Sequence, residues 1–200
     1  MLISQLIKIF NSHMKSQEII LLLENVKLVV RQGFYKHELP AVQQFCQQYS
    51  LHLVPSTFKV LLDDEHTFTN KGLRIPETDP REGLYFVYLA QEEQLAYLAS
   101  YYELTNNHRE LGLLLGYPRC CIQFFINSFH KNNLNPEHKP TNPWTNLTQR
   151  ELDFCLLSHF PCSSECSKSI QQAQHYFNTI KKNNPSYAQK LLQTLSTTIS

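Results

Sequence analysis

The sequence predicts an α+β fold: a small mixed or antiparallel sheet in the first half with helices packed on it, then a helical C-terminal half. Three observations predict it. Between residues 51 and 90, short β-branched and aromatic runs are punctuated by Pro55, Pro76 and Pro80, as strands and turns are. After residue 90, apolar residues recur at the three- and four-residue spacing of helices. The chain has 200 residues, 42% of them hydrophobic and 18% charged, enough to bury one core without staples. We read residues 1–200 as a single domain, with 1–90 carrying the sheet and 91–200 carrying the cysteine motifs.

The first ten residues form an apolar run interrupted by Lys8, which predicts an amphipathic helix and not a signal peptide. Residues 17–30 begin as a helix and turn β-branched over 26–30, a predicted strand. A polar cluster of Arg31 with Tyr35, Lys36, His37 and Glu38 follows, a solvated loop or a site for an anionic ligand. Pro40 marks the start of a helix that faces Val42, Phe45 and Cys46 inward. Four strands are predicted over residues 51–54, 58–62, 72–75 and 84–90. The last is apolar on both faces and reads as a buried strand.

The helical half opens at about residue 92, with Leu95, Leu98 and Tyr102 on one stripe. Asn107 is placed to cap a helix over 108–115, Gly116 to end it, and Pro118 to start another reaching about residue 129. Residues 131–149 are an Asn/Pro-rich connection long enough to suit a functional or lid segment. Further on, Ile170, Ala173, Phe177 and Ile180 make one helical stripe, and Leu191, Leu192 and Leu195 another.

Composition excludes several function classes. A formal net charge of +1 offers no global field for nucleic acid or an anionic membrane. There is no Gly-rich phosphate loop and no run of 18 apolar residues. The expected location is the cytoplasm, where six cysteines are thiols or metal ligands before they are disulfides. Partners and oligomeric state are not legible.

The chemistry concentrates in two Pro-Cys segments. In Gly-Tyr-Pro-Arg-Cys-Cys, Cys120 and Cys121 fall in the first turn of a helix, where unpaired N–H groups and the helix dipole favour a thiolate. In His-Phe-Pro-Cys-Ser-Ser-Glu-Cys, Ser163 or Ser164 is placed to cap the next helix, with Cys162 and Cys166 on one side of its start. Brought together, the four thiolates suit a tetrahedral zinc ion or an iron–sulfur cluster. Adjacency directs Cys120 and Cys121 about 100° apart on a helix, which works against both reaching one ion. Cys121 could equally face the core, as Cys46 and Cys155 are expected to. His159, three residues before Cys162, is a substitute ligand or an ordinary loop-edge histidine. Arg119 could pair with a thiolate or lie exposed.

Vicinal cysteines followed by a later pair are similar to the cysteine-rich iron–sulfur domains of heterodisulfide-reductase type. Ile122 stands where those domains carry glycine, and C-x3-C replaces C-x2-C. That analogy tilts the choice toward a cluster. Over residues 110–175, the Gly-Tyr-Pro-x-Cys-Cys and Pro-Cys-x3-Cys elements resemble the prokaryotic domain-of-unknown-function family numbered four hundred and eighty-three. The resemblance implies a prokaryotic, cytoplasmic protein and brings no activity with it. Three readings stand: a metal-binding protein with Cys120, Cys121, Cys162 and Cys166 as ligands; a thiol enzyme or redox protein using Cys162/Cys166 or Cys120/Cys121, with His159 or His37 as base; and an interaction module whose cysteines are core.

Overall fold

Strand β4 (Leu84–Ala90) is the element on which the others are assembled. It pairs antiparallel with β1 (Val29–Phe34) on one side and with β2 (His52–Leu62) on the other. The short β3 (Gly72–Pro76) extends the sheet beyond β2, giving the order β1-β4-β2-β3. The computed structural model describes residues 3–62, 72–128, 142–145 and 153–196. The expected 131–149 connection therefore lies outside the described residues except for 142–145.

Strand alternation sends Val87 and Leu89 to one face of the sheet and Tyr88 and Ala90 to the other. Both faces are covered, as the uninterrupted apolar run of β4 predicts. On the first face sit α1 (Ile3–Phe10), α2 (His13–Leu23), α3 (Leu39–Gln48), α7 (Ser167–Asn183) and α8 (Pro185–Ser196). Leu6, Phe10, Ile19, Phe34, Ile180 and Leu191 are fully buried there, and Cys46 and Cys155 join the same core as expected. On the second face, α4 (Glu93–Leu104) and α5 (His108–Leu114) pack Ala96, Ala99 and Leu111 over Val54 and Tyr88. Helix α6 (Arg119–Ser128) follows α5 closely. No helix among the described residues is long and apolar enough to cross a membrane.

Four local expectations are corrected. Residues 51–54 and 58–62 belong to one strand, not two: Pro55 sits inside β2 opposite Val87, and an irregularity between Pro55 and Lys59 absorbs it. Ser56 Oγ accepts from the Phe86 N–H at 3.1 Å and donates to the Phe58 carbonyl at 2.6 Å, supplying bonds the ladder lacks there. Pro76 likewise ends β3 and does not stand between strands. The strand predicted from residue 26 begins only at Val29, because the N–H groups of Val26 and Lys27 turn back to the Leu21 carbonyl and close α2. In α4 the buried stripe is Ala96, Ala99 and Glu103; Leu95 and Tyr102 flank it half-buried, and Leu98 points outward. Small alanines let the helix approach β4, which bulky leucines at those positions would prevent.

Two polar side chains are buried in the first core as a pair. Lys27 Nζ lies 2.5 Å from Glu18 Oε1 and 3.2 Å from Ser158 Oγ. Burial alone would lower the Lys27 pKa, but Glu18 outweighs it and the ammonium is held well above its usual range. Its contribution to stability is thus present below the unfolded-state pKa and stays in place across the neutral range. Removing one partner leaves an uncompensated buried charge, so Glu18→Gln or Lys27→Met is expected to cost about 3–5 kcal/mol in urea unfolding. The double replacement Glu18→Leu with Lys27→Met is expected to recover most of that loss; a double variant as unstable as the singles would show that the pair is not a coupled unit.

Candidate metal centre

The corner between α5 and α6 is built from the turn chemistry its sequence carries. Asn107 Oδ1 accepts from the Glu110 N–H and caps α5, as predicted. At the other end Gly116 takes φ +78, the left-handed conformation glycine adopts without strain. The Tyr117 N–H bonds the Gly112 carbonyl at 2.9 Å and the Gly116 N–H bonds the Leu113 carbonyl at 3.0 Å, the paired closure of a Schellman end. Pro118 then accepts from the N–H groups of Cys121 and Ile122 and starts α6. A Cβ on Gly112 would lie 2.8 Å from Ile122 Cγ1, so glycine is what lets α6 fold tightly against α5.

The second segment approaches differently from expectation. Neither Ser163 nor Ser164 caps α7; the N-cap residue is Cys166, whose carbonyl accepts from the Ile170 N–H at 2.9 Å. Cys162 lies outside the helix, in the loop before it, and a turn closed by the Cys166 N–H on the Ser163 carbonyl brings it round. The pair therefore converges through that turn and not by helical spacing.

The four sulfurs meet. Cys120 Sγ is 3.9 Å from Cys121 Sγ and 3.8 Å from Cys166 Sγ, and Cys121 and Cys166 are 3.7 Å apart. With Cys162, all four lie within 4.8 Å of one another, and none is in a disulfide. Adjacency of Cys120 and Cys121 does not separate them, because side chains in a first turn lean back toward the helix N-terminus and the centre sits off that end. Cys121 and Cys166 are buried, Cys162 is half-buried and Cys120 is exposed. Cys121 is thus both buried and part of the cluster, where packing and ligation had been alternatives.

Hydrogen bonds surround the sulfurs. The Cys162 N–H points at Cys121 Sγ at 3.4 Å, and Ser169 Oγ lies 3.2 Å from the same sulfur. His159, buried, places Nε2 2.9 Å from Ser169 Oγ, one hydroxyl removed from the cluster, with the Tyr117 ring beside it. Burial is the largest influence on the three shifted thiols. It pushes Cys121 up strongly and Cys162 up to about 11. At Cys166 it is outweighed by Ser169, through its hydroxyl and N–H, and by the thiols of Cys162 and Cys121, which bring the pKa down to about 6. One thiolate is therefore preformed at neutral pH.

Other candidate residues lie elsewhere. Arg119 is exposed, and Arg109 forms a surface ion pair with Glu110. Arg31 does not join Tyr35, Lys36, His37 and Glu38: it lies within β1 and its guanidinium meets Glu103. Tyr35 and Glu38 close a turn, the Tyr35 N–H donating to Glu38 Oε2 at 2.8 Å. Sequence reasoning missed a cavity of about 440 Å³ on the far side of Cys121, which brings together Arg31, Arg74 and Glu103. No spacing could reveal it, since those residues come from three separate elements.

A helical half with a four-cysteine cluster, following a four-stranded sheet, defines a class: a small α+β protein with a thiol-rich centre at two helix starts. Residues 97–195 match the family model described as Protein of unknown function (DUF483), and over those residues the chain belongs to that family. The match begins within α4 and takes in all four cysteines, leaving the sheet outside it. No curated protein gives a significant match, and no solved structure does.

Two measurements follow from this geometry. Gly116→Ala is expected to cost about 1 kcal/mol, because alanine at that φ is strained; an unchanged melting curve would contradict the Schellman end. In metal-free protein, thiolate absorbance is expected to rise first near pH 6, and Cys166→Ser is expected to remove that step. The depressed pKa means that the Cys166 thiolate stabilises the fold above the unfolded-state value and that this contribution is lost as pH falls through about 6.

Proposed function

We propose that this is a metal-binding protein in which Cys120, Cys121, Cys162 and Cys166 hold one tetrahedral ion, zinc being the best fit. The observation that carries the proposal is the mutual approach of all four sulfurs within 4.8 Å. A tetrahedral ion with metal–sulfur bonds of about 2.3 Å sets its ligand sulfurs about 3.8 Å apart. The three separations of 3.7, 3.8 and 3.9 Å agree with that edge. An iron–sulfur cluster interposes iron and sulfide between thiolates on different irons and holds them wider, so the spacing favours a single ion over the cluster.

A four-thiolate site leaves no open position for substrate, which supports a structural role. The ion would tie the first turn of α6 to the start of α7 and to the loop before it. Ser169 would donate to the Cys121 thiolate and accept from His159 Nε2, fixing the ligand's orientation. The low pKa of Cys166 also suits thiol chemistry, but Cys166 is buried and the exposed sulfur is Cys120. A nucleophile needs both properties on one residue.

Metal analysis of the protein purified without added metal is expected to give one zinc per chain and no absorbance near 400 nm. Colour with inorganic sulfide would replace the ion by a cluster, and folded metal-free protein with one fast-alkylating thiol would replace both by thiol chemistry. Zinc uptake by metal-free protein near pH 7.5 is expected to release fewer than four protons, because Cys166 is held below the ordinary thiol range. Ser169→Ala is expected to weaken zinc binding by about 10–100-fold in chelator competition while leaving the stoichiometry unchanged.

A further inference from the structure

The cavity beside the cysteine centre has Cys121 and His159 in its wall. Its volume, about 440 Å³, lies within the range of small-molecule sites. The rest of the wall is mostly apolar, with Val60, Leu111, Leu115 and Ile122, and Tyr117 and Ser158 add polar groups to it. One end is charged. Arg31 of β1, Arg74 of β3 and Glu103 of α4 converge there from segments distant in sequence.

The charges are organised. Glu103 is 5% exposed and sits between the two arginines. Arg31 Nη2 lies 3.4 Å from Glu103 Oε1, Arg74 Nη2 lies 3.5 Å from the same oxygen, and Arg74 also donates to the Glu103 carbonyl at 3.1 Å. Each guanidinium rests on a ring: Arg31 on Phe86 with 3.8 Å to the centroid, Arg74 on Phe58 with 3.9 Å. Ring and carboxylate together fix both guanidinium groups before any ligand arrives. Two cations against one carboxylate leave a single positive charge at the end of an apolar cavity. Two guanidinium groups also carry more N–H donors than one carboxylate accepts. His108 lines the same end; burial lowers its pKa first, and the arginines lower it further against the opposing pull of Glu103.

We propose that this cavity binds a small organic monoanion, with a carboxylate against Arg31 and Arg74 and an apolar body running over Leu111 and Leu115 toward Cys121. One net positive charge matches a monoanion, and the apolar walls match a hydrocarbon or aryl body. Recognition of the carboxylate does not rest on an ion at the sulfurs, because no residue that meets it is a cysteine.

The test uses the full chain as purified and calorimetric titration with phenylbutyrate, phenylbutanol, phenylbutylamine and inorganic phosphate. Phenylbutyrate is expected to bind at least ~10-fold more tightly than phenylbutanol, with phenylbutylamine and phosphate weaker still. Methyl resonances of Val60, Leu111, Leu115 and Ile122 are expected to shift on binding. Arg74→Met is expected to erase the preference for acid over alcohol, while Arg81→Met, on a surface residue paired with Asp79, leaves it intact. Equal binding of acid and alcohol would overturn the charge argument. Phosphate binding as tightly as phenylbutyrate would overturn the apolar body. No heat and no methyl shift up to ~10 mM phenylbutyrate would overturn the site as a whole. If the Arg74→Met protein does not fold, the ligand series on the unaltered chain decides alone, and the zinc analysis bears on none of these outcomes.

Discussion

The described part of the structure between residues 153 and 166 contains neither helix nor strand, yet its side chains reach the core. It has no ladder of its own, so side-chain anchors must hold it, and the cysteine centre depends on that constraint. Three anchors are visible. At one end Asp153 accepts from Ser12 Oγ at 2.8 Å and from the N–H groups of His13 and Met14, a carboxylate on the N-terminus of α2. In the middle, Lys27 reaches from its pair with Glu18 to Ser158, while Cys155, Leu156 and Leu157 are buried in the first core. At the other end are Cys162 and Cys166. The first two anchors come from the sheet-bearing half, so the position of the thiols is coupled to a buried ion pair in the opposite half of the chain.

The second requirement of the centre is a corner. α5 must stop, reverse and restart as α6 within a few residues, with Cys120 and Cys121 at the restart. Gly112, Gly116 and Pro118 each remove one obstacle. Gly112 removes a clash with Ile122, Gly116 removes the left-handed strain, and Pro118 begins the next helix where its missing N–H costs no hydrogen bond. The stop at Gly116 and the restart at Pro118 were readable from sequence because each acts on its own backbone, whereas Gly112 acts on Ile122 of the next helix and was not. The cap at Asn107 was legible for the same reason as the stop and the restart. So was the buried character of β4, since a strand covered on both faces has no polar alternation to hide.

What sequence did not disclose depended on partners distant in the chain. The α4 stripe shifts from its leucines to Ala96, Ala99 and Glu103 because β4 leaves room only for small side chains, while Glu103 faces two arginines on other elements. Pro55 reads as a turn until Ser56 supplies the bonds it disrupts. Cys162 and Cys166 were expected together for the wrong geometric reason: a loop turn, not one helix face, aligns them. Their convergence with Cys120 and Cys121 rested on repeated Pro-Cys context alone, and the distance that decides it is a tertiary property.

The same distinction separates the two sites. At the cysteine centre the candidate donors are visible in the sequence, because cysteines are rare and chemically specific. At the cavity, Arg31, Arg74 and Glu103 are individually ordinary, and only their geometry makes them selective. Glu103 neutralises one of two cations and orients both, so the charge offered to a ligand is smaller but fixed in place. An arginine pair without it would carry a stronger field at greater cost in burial and ordering. With it, Phe58 and Phe86 hold the guanidinium planes, and selectivity rests on pre-arranged donors as well as on charge. Since Cys121 and Ile122 belong to both the cavity wall and the first turn of α6, whatever fixes that turn also fixes the far wall of the cavity. An ion bound by the sulfurs would thus act on the cavity as a rigid boundary rather than as a reacting centre.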